Sequence, residues 1–411
     1  MMTSSPASRS QLYYQPKKHP LLSVLLFFVM LGLFRSIGHI PIFIGYVAGA
    51  AGLVWLGLNR RITKQFLPTY LLVIWGALSA VNSGLGFTNY LQLLLVVGGV
   101  GIAEIIARTE PEELARGISR YWVWPILIVT GIEFIFFALD MGQRTRVINE
   151  SVTAGLLNET TWSLPRLMGS MGGSAYSATM LGALACFCWV EQRKRTAAIL
   201  AIVSLFMVSR GPLIALLVAL MFQAFREQKI SRWGATALLG VCIGFPLMIW
   251  QLEQSLSWEQ QIFLIQISSS RFLHYLSFLD FGLENPIFGI GYSNWRGVYE
   301  EYFWGDGFQY LLESNNVGLI REAHNLMLDV FGELGVVGWL LAAWQVATMG
   351  FIAIRGDARH GAMFVYTTTC FLFLSGFSSW SFWFTNGVLL GHHQRQRARA
   401  QESKSTRQGM R

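Results

Sequence analysis

One apolar run follows another along this chain. They fall near 20–34, 41–58, 66–81, 89–107, 121–140, 169–190, 196–209, 211–225, 233–251, 323–354, 361–377 and 378–391. The runs are continuous, so they do not fit barrel strands, which alternate at period two. In lipid the remaining way to satisfy the backbone is the helix. Charge supports this: 13% of residues are charged, where a soluble chain carries about 25%. The chain therefore reads as an all-α integral membrane protein with about twelve transmembrane helices, several shorter than the ~20 residues of an upright span.

The lysines give an orientation. With both termini cytoplasmic, the inner segments hold Lys17, Lys18, Lys64, Lys194, Lys229 and Lys404, which are all the lysines of the chain. The short inner loops read "NRRITKQ", "EQRKR", "REQKISR" and "RGDARH", as the positive-inside rule requires. This needs 196–225 to be two spans meeting in a tight turn at Ser209-Arg210-Gly211-Pro212. The expected organisation is a cytoplasmic tail (1–19), a first block of spans (20–251), a large outer loop (252–322), a second block (323–391) and a basic cytoplasmic tail (392–411). Lys17 and Lys18 precede the first run, and no small-x-small cleavage site follows before Arg35, so 20–34 reads as a span. The pI near 9.4 follows from this topology and does not argue for nucleic acid. The tail suits anionic lipid.

Cysteine supplies no chemistry. Cys186, Cys188, Cys242 and Cys370 all lie in apolar runs. Cys186 and Cys188 point about 200° apart on a helix and cannot share a metal. All four read as small buried hydrophobes.

On the outer side the cations are all arginine: Arg35, Arg144, Arg146, Arg166, Arg210, Arg271, Arg296 and Arg321. Arginine's planar fork fits phosphate bidentately. Arg35, Arg144, Arg146 and Arg296 read as ordinary loop residues. The other four sit at span ends or on an amphipathic run, where a charge is costly without a task. The outer loop carries Glu253, Glu259, Asp280, Glu284, Glu300, Glu301, Asp306, Glu313 and Glu322 among many aromatic residues. Rings that stack on sugar faces, beside carboxylates that bind hydroxyls, suit a glycan. Its first part, "WEQQIFLIQISSSRFLHYLSFLDFGLENP", reads as one amphipathic helix stopped by Pro286, with Arg271, His274, Tyr275 and Phe278 on one face.

Four stretches hold the candidate site. "PRLMGSMGGSAYSATMLG" carries Arg166 and "MVSRGPLIALLVA" carries Arg210. "SSSRFLHYLSFLDFGLENPIFGIGYSNW" carries Arg271, and "REAHNLMLDVFGELGVVGWL" carries Arg321, His324 and Asn325. The inferred topology brings all four to the outer surface. Several arginines and one histidine point to a polyanionic ligand. Gly332, Gly335 and Gly338 read as a surface for close helix packing.

The SRG turn, the "ENPIFGIG" element and the "HNLMLDVFGELGVVGW" helix together resemble the bacterial O-antigen ligase and polysaccharide polymerase superfamily. The resemblance covers most of 160–345. It implies a GT-C-like membrane glycosyltransferase of the inner membrane, with its active site facing the periplasm. It implies a glycan donor on undecaprenyl pyrophosphate, an acceptor glycan, and no metal or other cofactor. Arg210, Arg271 and His324 match the family's SRG arginine, loop arginine and histidine, and Arg166 matches the arginine before the glycine-rich span. Preorganised arginines can neutralise a pyrophosphate leaving group. Arg166, Arg210, Arg271 and Arg321 are the expected pyrophosphate ligands. His324, with Arg210 and Arg271, is the expected catalytic set, acting as a base or by holding the acceptor hydroxyl. Asn325 and Tyr275 are expected on the acceptor side.

A polymerase of lipid-linked repeat units, with a chain-length regulator as a candidate partner, is the first reading. A ligase onto lipid A-core shares its donor chemistry. A lipid-linked sugar transporter would instead place its ionisable groups at the midplane on broken helices. A cell-wall glycosyltransferase would lean on a loop acid such as Asp280.

Overall fold

The computed structural model describes residues 50–58, 63–84, 86–139, 174–207, 209–225, 230–268, 271–295, 298, 323–374, 377 and 379–409. These residues form helices, turns and loops, with no strand among them. A helical segment at 50–58 is followed by α1 (Leu67–Asn82), α2 (Phe87–Arg108) and α3 (Pro111–Gly117). A π turn at Ile118–Trp122 leads from α3 into α4 (Val123–Ala138). Next come α5 (Ser174–Val190), α6 (Lys194–Phe206), α7 (Arg210–Phe225) and α8 (Ile230–Ile243). They are followed by α9 (Phe245–Ser255), α10 (Trp258–Ile267) and α11 (Arg271–Glu284). The last three are α12 (Leu326–Arg355), α13 (Ala358–Phe371) and α14 (Trp380–Gly409).

The chain is an all-α membrane protein. Three described helices are long and apolar enough to cross a bilayer: Lys64–Asn82, Pro111–Ile135 and Leu326–Arg355. α8 and α9 make a fourth if their pair, bent by 66°, counts as one span. Gly244 lies at that bend and Pro246 opens α9, because proline fits the first helical turn but cannot continue a preceding one. Val81, Trp124, Ile128, Leu217 and Trp233 are each more than half exposed, a surface that water would disfavour and lipid accepts. The four cysteines are free thiols, three buried and Cys186 half-buried.

α12 is the centre of the bundle. It packs against α1, α8, α11, α13 and α14. α2 lies along α14, where a Cβ on Gly387 would stand 2.7 Å from the Ala103 carbonyl oxygen. The break expected near Ser209–Pro212 falls between α6 and α7. Its two sides go to different partners, α6 along α5 and α7 along α13.

One expectation changes. The amphipathic stretch after Ser257 is two helices rather than one. Ser268 accepts at Oγ from the Phe272 amide at 3.0 Å, so it caps a new helix instead of continuing the old one. α14 runs on through the basic stretch from 392 as far as Gly409.

The glycines of "GELGVVG" also take a different partner from another span. α12 is broken at Gly335, which has φ 66°. The turn after α11, "NPIFGIG", docks its backbone into the break. Ile290 N donates to Gly332 O at 3.0 Å, Gly291 N to Glu333 O at 2.9 Å, and Val336 N to Pro286 O at 2.8 Å. Trp75 of α1 donates from Nε1 to Leu334 O at 3.0 Å and stacks on Phe288. Groups freed by the break thus regain partners, as a low-dielectric surrounding demands. A Cβ on Gly335 would lie 2.5 Å from Ile287 O, and one on Gly289 would lie 2.3 Å from the Glu333 carbonyl carbon. The two motifs are therefore one interlocked element, and it fixes α11 against α12.

Candidate active site

His324 lies on a three-residue strap just before α12. Its φ is 56°, a left-handed conformation that costs a non-glycine residue about 1–3 kcal/mol and persists when neighbours over-determine it. Both neighbours are held. Ala323 N donates to Asp329 Oδ1 at 2.8 Å. Asn325 caps α12, its Oδ1 accepting from Met327 N and Leu328 N at 3.0 Å each. Asn325 Nδ2 also donates to Leu372 O at 3.2 Å, beyond the end of α13. Asn325 is buried while His324 is half-buried. The strap thus fixes the imidazole by its backbone.

α11 supplies the other wall. His274 is buried, and its ring meets His324 edge to face with centroids 6.4 Å apart. Arg271 is the first residue of α11 and half-buried. It lies three residues before His274, on the same helix face. Tyr275 stands one turn after Arg271, edge-on to Phe245 at 5.3 Å. Burial pushes its hydroxyl up to about 12; Arg271 acts to lower it and Asp329 to raise it. Asp280 is on the far side of this helix, about 180° from Arg271. It sits near Glu253 and Glu284, and burial followed by these two acids raises its carboxyl to about 7.

The SRG turn reaches the same neighbourhood along the backbone. Arg210 opens α7, and a Cβ on Gly211 would stand 3.1 Å from Phe373 Cβ. Phe373 follows Leu372, whose carbonyl Asn325 holds. The starts of α7 and α12 are therefore joined through residues 372–373. Arg210 and Arg271 both occupy the first turn of a helix, where the macrodipole favours an anion. Arg166 and Arg321 lie outside the described residues. The group of described residues able to hold a metal is Asp357, His360 and His392, and these lie beyond the other end of α12.

The arrangement places an imidazole of the strap beside one of α11, with an arginine one turn along. That can hold a hydroxyl at the histidines and an anion at the helix starts. Residues 162–343 match a family model described as O-antigen ligase. The match supports a place for this part of the chain in the O-antigen ligase and polymerase superfamily. The match takes in Arg166, Arg210, Arg271, Arg321 and His324, and it ends within α12. No curated protein matches the chain. Sequence reasoning placed His274 on one face with Arg271 but gave it no role, since the ring it meets, that of His324, is fifty positions away. Asp329 was missed for a similar reason: its partner is an upstream backbone amide.

Proposed function

We propose that the chain is a polysaccharide polymerase of the bacterial inner membrane. It takes a glycan from undecaprenyl pyrophosphate and joins it to the acceptor sugar of another lipid-linked repeat unit at the periplasmic face. The observation that carries this reading is the pinned His324 strap, lying between the helix that Arg271 opens and the segment against which the SRG turn packs. The acceptor oxygen attacks the anomeric carbon and passes its proton to His324. The bond from that carbon to the pyrophosphate oxygen breaks, and the lipid pyrophosphate leaves with its electron pair. Arg210 and Arg271, with Arg166 and Arg321, neutralise that charge. Asn325 serves the acceptor side by fixing the strap, and Tyr275 packs beside Arg271.

The family's description as an O-antigen ligase favours a second reading, in which the acceptor is lipid A-core. Purified protein, given lipid-linked repeat units with and without lipid A-core, separates the two. Chain growth on repeat units alone supports the polymerase. Products appearing only when lipid A-core is present overturn it in favour of the ligase. A chain-length regulator is a further proposed partner.

A further inference from the structure

A second cluster lies beyond the C-terminal end of α12. Asp357 precedes α13, His360 stands in the first turn of α13, and His392 projects from α14. One ligand atom from each lies within 4.8 Å of the other two. The two imidazoles stack with centroids 3.7 Å apart and planes 20° apart. Asp357 Oδ1 accepts from the His360 amide at 3.0 Å and lies 2.6 Å from His360 Nδ1. The pair holds a carboxylate oxygen and a ring nitrogen close enough to be drawn onto one ion, exchanging their hydrogen bond for bonds to it. His360 is buried while Asp357 is exposed, so the pair spans from the protein interior to the surface.

The cluster borders a cavity of about 210 Å³ that is also lined by Glu191, Arg395, Gln396 and Arg399. We propose that Asp357, His360 and His392 form a binding site for a divalent transition-metal ion of the zinc class. Two imidazoles and a carboxylate are the donor types such ions take, and water or Glu191 can complete the shell. At bonds of about 2.0–2.1 Å, a tetrahedral site sets its donors roughly 3.4 Å apart; the three ligand atoms already lie within 4.8 Å of one another, and the stacked rings would turn their nitrogens toward the ion. An anion fits less well, because it would face both Asp357 and Glu191. Arg395, which lines the cavity, donates from Nη1 to Thr109 O at 3.4 Å. Gln396 Nε2 lies 2.8 Å from His392 Nε2; Gln396 is exposed and can swing away for a metal. The metal would tie the α12–α13 connection to α14, at the opposite end of α12 from His324.

The test uses the full chain, purified in detergent through an affinity tag without histidine, and Co²⁺ and Zn²⁺ as probes. Wild type should bind one equivalent of Zn²⁺, and its Co²⁺ form should show the visible bands of low-symmetry nitrogen and oxygen ligation. Affinity should fall at least tenfold in each of His360→Ala, His392→Ala and Asp357→Asn. His393→Ala should bind as wild type does. A wild-type Co²⁺ spectrum no different from the aqueous ion overturns the proposal, and this reading needs no variant to fold. So does equal Zn²⁺ retention in the folded His360→Ala/His392→Ala double variant. Saturation by inorganic phosphate, with no Zn²⁺ bound, overturns it as well.

Discussion

At the scale of single residues, His324 and Arg271 were legible because each is an ionisable group at the start of an apolar helix. Asn325 was legible too, but its signal has two meanings. An Asn before an apolar run is both a polar group near a site and an N-cap. The structure gives it the capping work, with two bonds from its own helix and one to Leu372 O. Asn325→Ala should therefore cost about 1–2 kcal/mol of stability and also lower turnover by releasing His324 from its left-handed conformation. Asn325→Asp keeps the acceptor for the cap but removes the donor to Leu372. It should restore most of the thermal stability and little of the turnover. Thermal melting beside turnover on the same preparations checks both. Full activity in a destabilised Asn325→Ala would detach the strap from catalysis. His274 shows what the residue scale hides: its partner is set by packing between helices, and nothing local in "RFLHYL" announces it.

At the scale of elements, the helix faces read well and the breaks read poorly. The three-residue glycine spacing in "GELGVVG" suggested a packing surface, which holds for Gly332 against Phe278. That Gly335 would take φ 66° and admit the "NPIFGIG" turn was not visible, since no pattern says which distant segment will supply the missing hydrogen bonds. Gly335→Ala and Gly289→Ala each combine a positive φ with a backbone clash. Each should destabilise by more than about 1–3 kcal/mol, seen as a lower melting temperature and faster proteolysis of the 252–322 loop. Wild-type melting in both would contradict the interlock. The packing of α11 on α9 carries a pH signature. Asp280 rises from 3.8 to about 7, so the fold favours its protonated form. That stability is fully present below the unfolded value of 3.8 and is lost as pH rises through 7. Asp280→Asn should raise the melting temperature relative to wild type more at about pH 8 than at about pH 4. An equal shift at both would remove the carboxyl from this account.

At the scale of the molecule, composition and run length set the all-helical membrane class without help from any motif. The number of spans is harder to read, because a run such as 233–251 bends by 66° within its length and hydropathy does not register a bend. The orientation rests on the lysines. In a variant lacking the native cysteines, a membrane-impermeant thiol reagent added outside should label a cysteine placed at 307 and not one placed at 403; the reverse pattern would invert the topology. The site belongs to this scale as well, since it joins segments more than a hundred residues apart. The most direct measurement is donor binding and turnover on the same purified variants, with undecaprenyl pyrophosphate as the binding probe and thermal melting as the folding control. Arg210→Ala and Arg271→Ala should weaken both binding and turnover. Their lysine forms should recover only part, because a point charge does not replace the fork. His324→Ala should lose about 100- to 10,000-fold in turnover while binding the donor nearly as wild type does. If His324→Ala weakens donor binding as much as Arg210→Ala, the division between a histidine for the acceptor and arginines for the pyrophosphate is wrong.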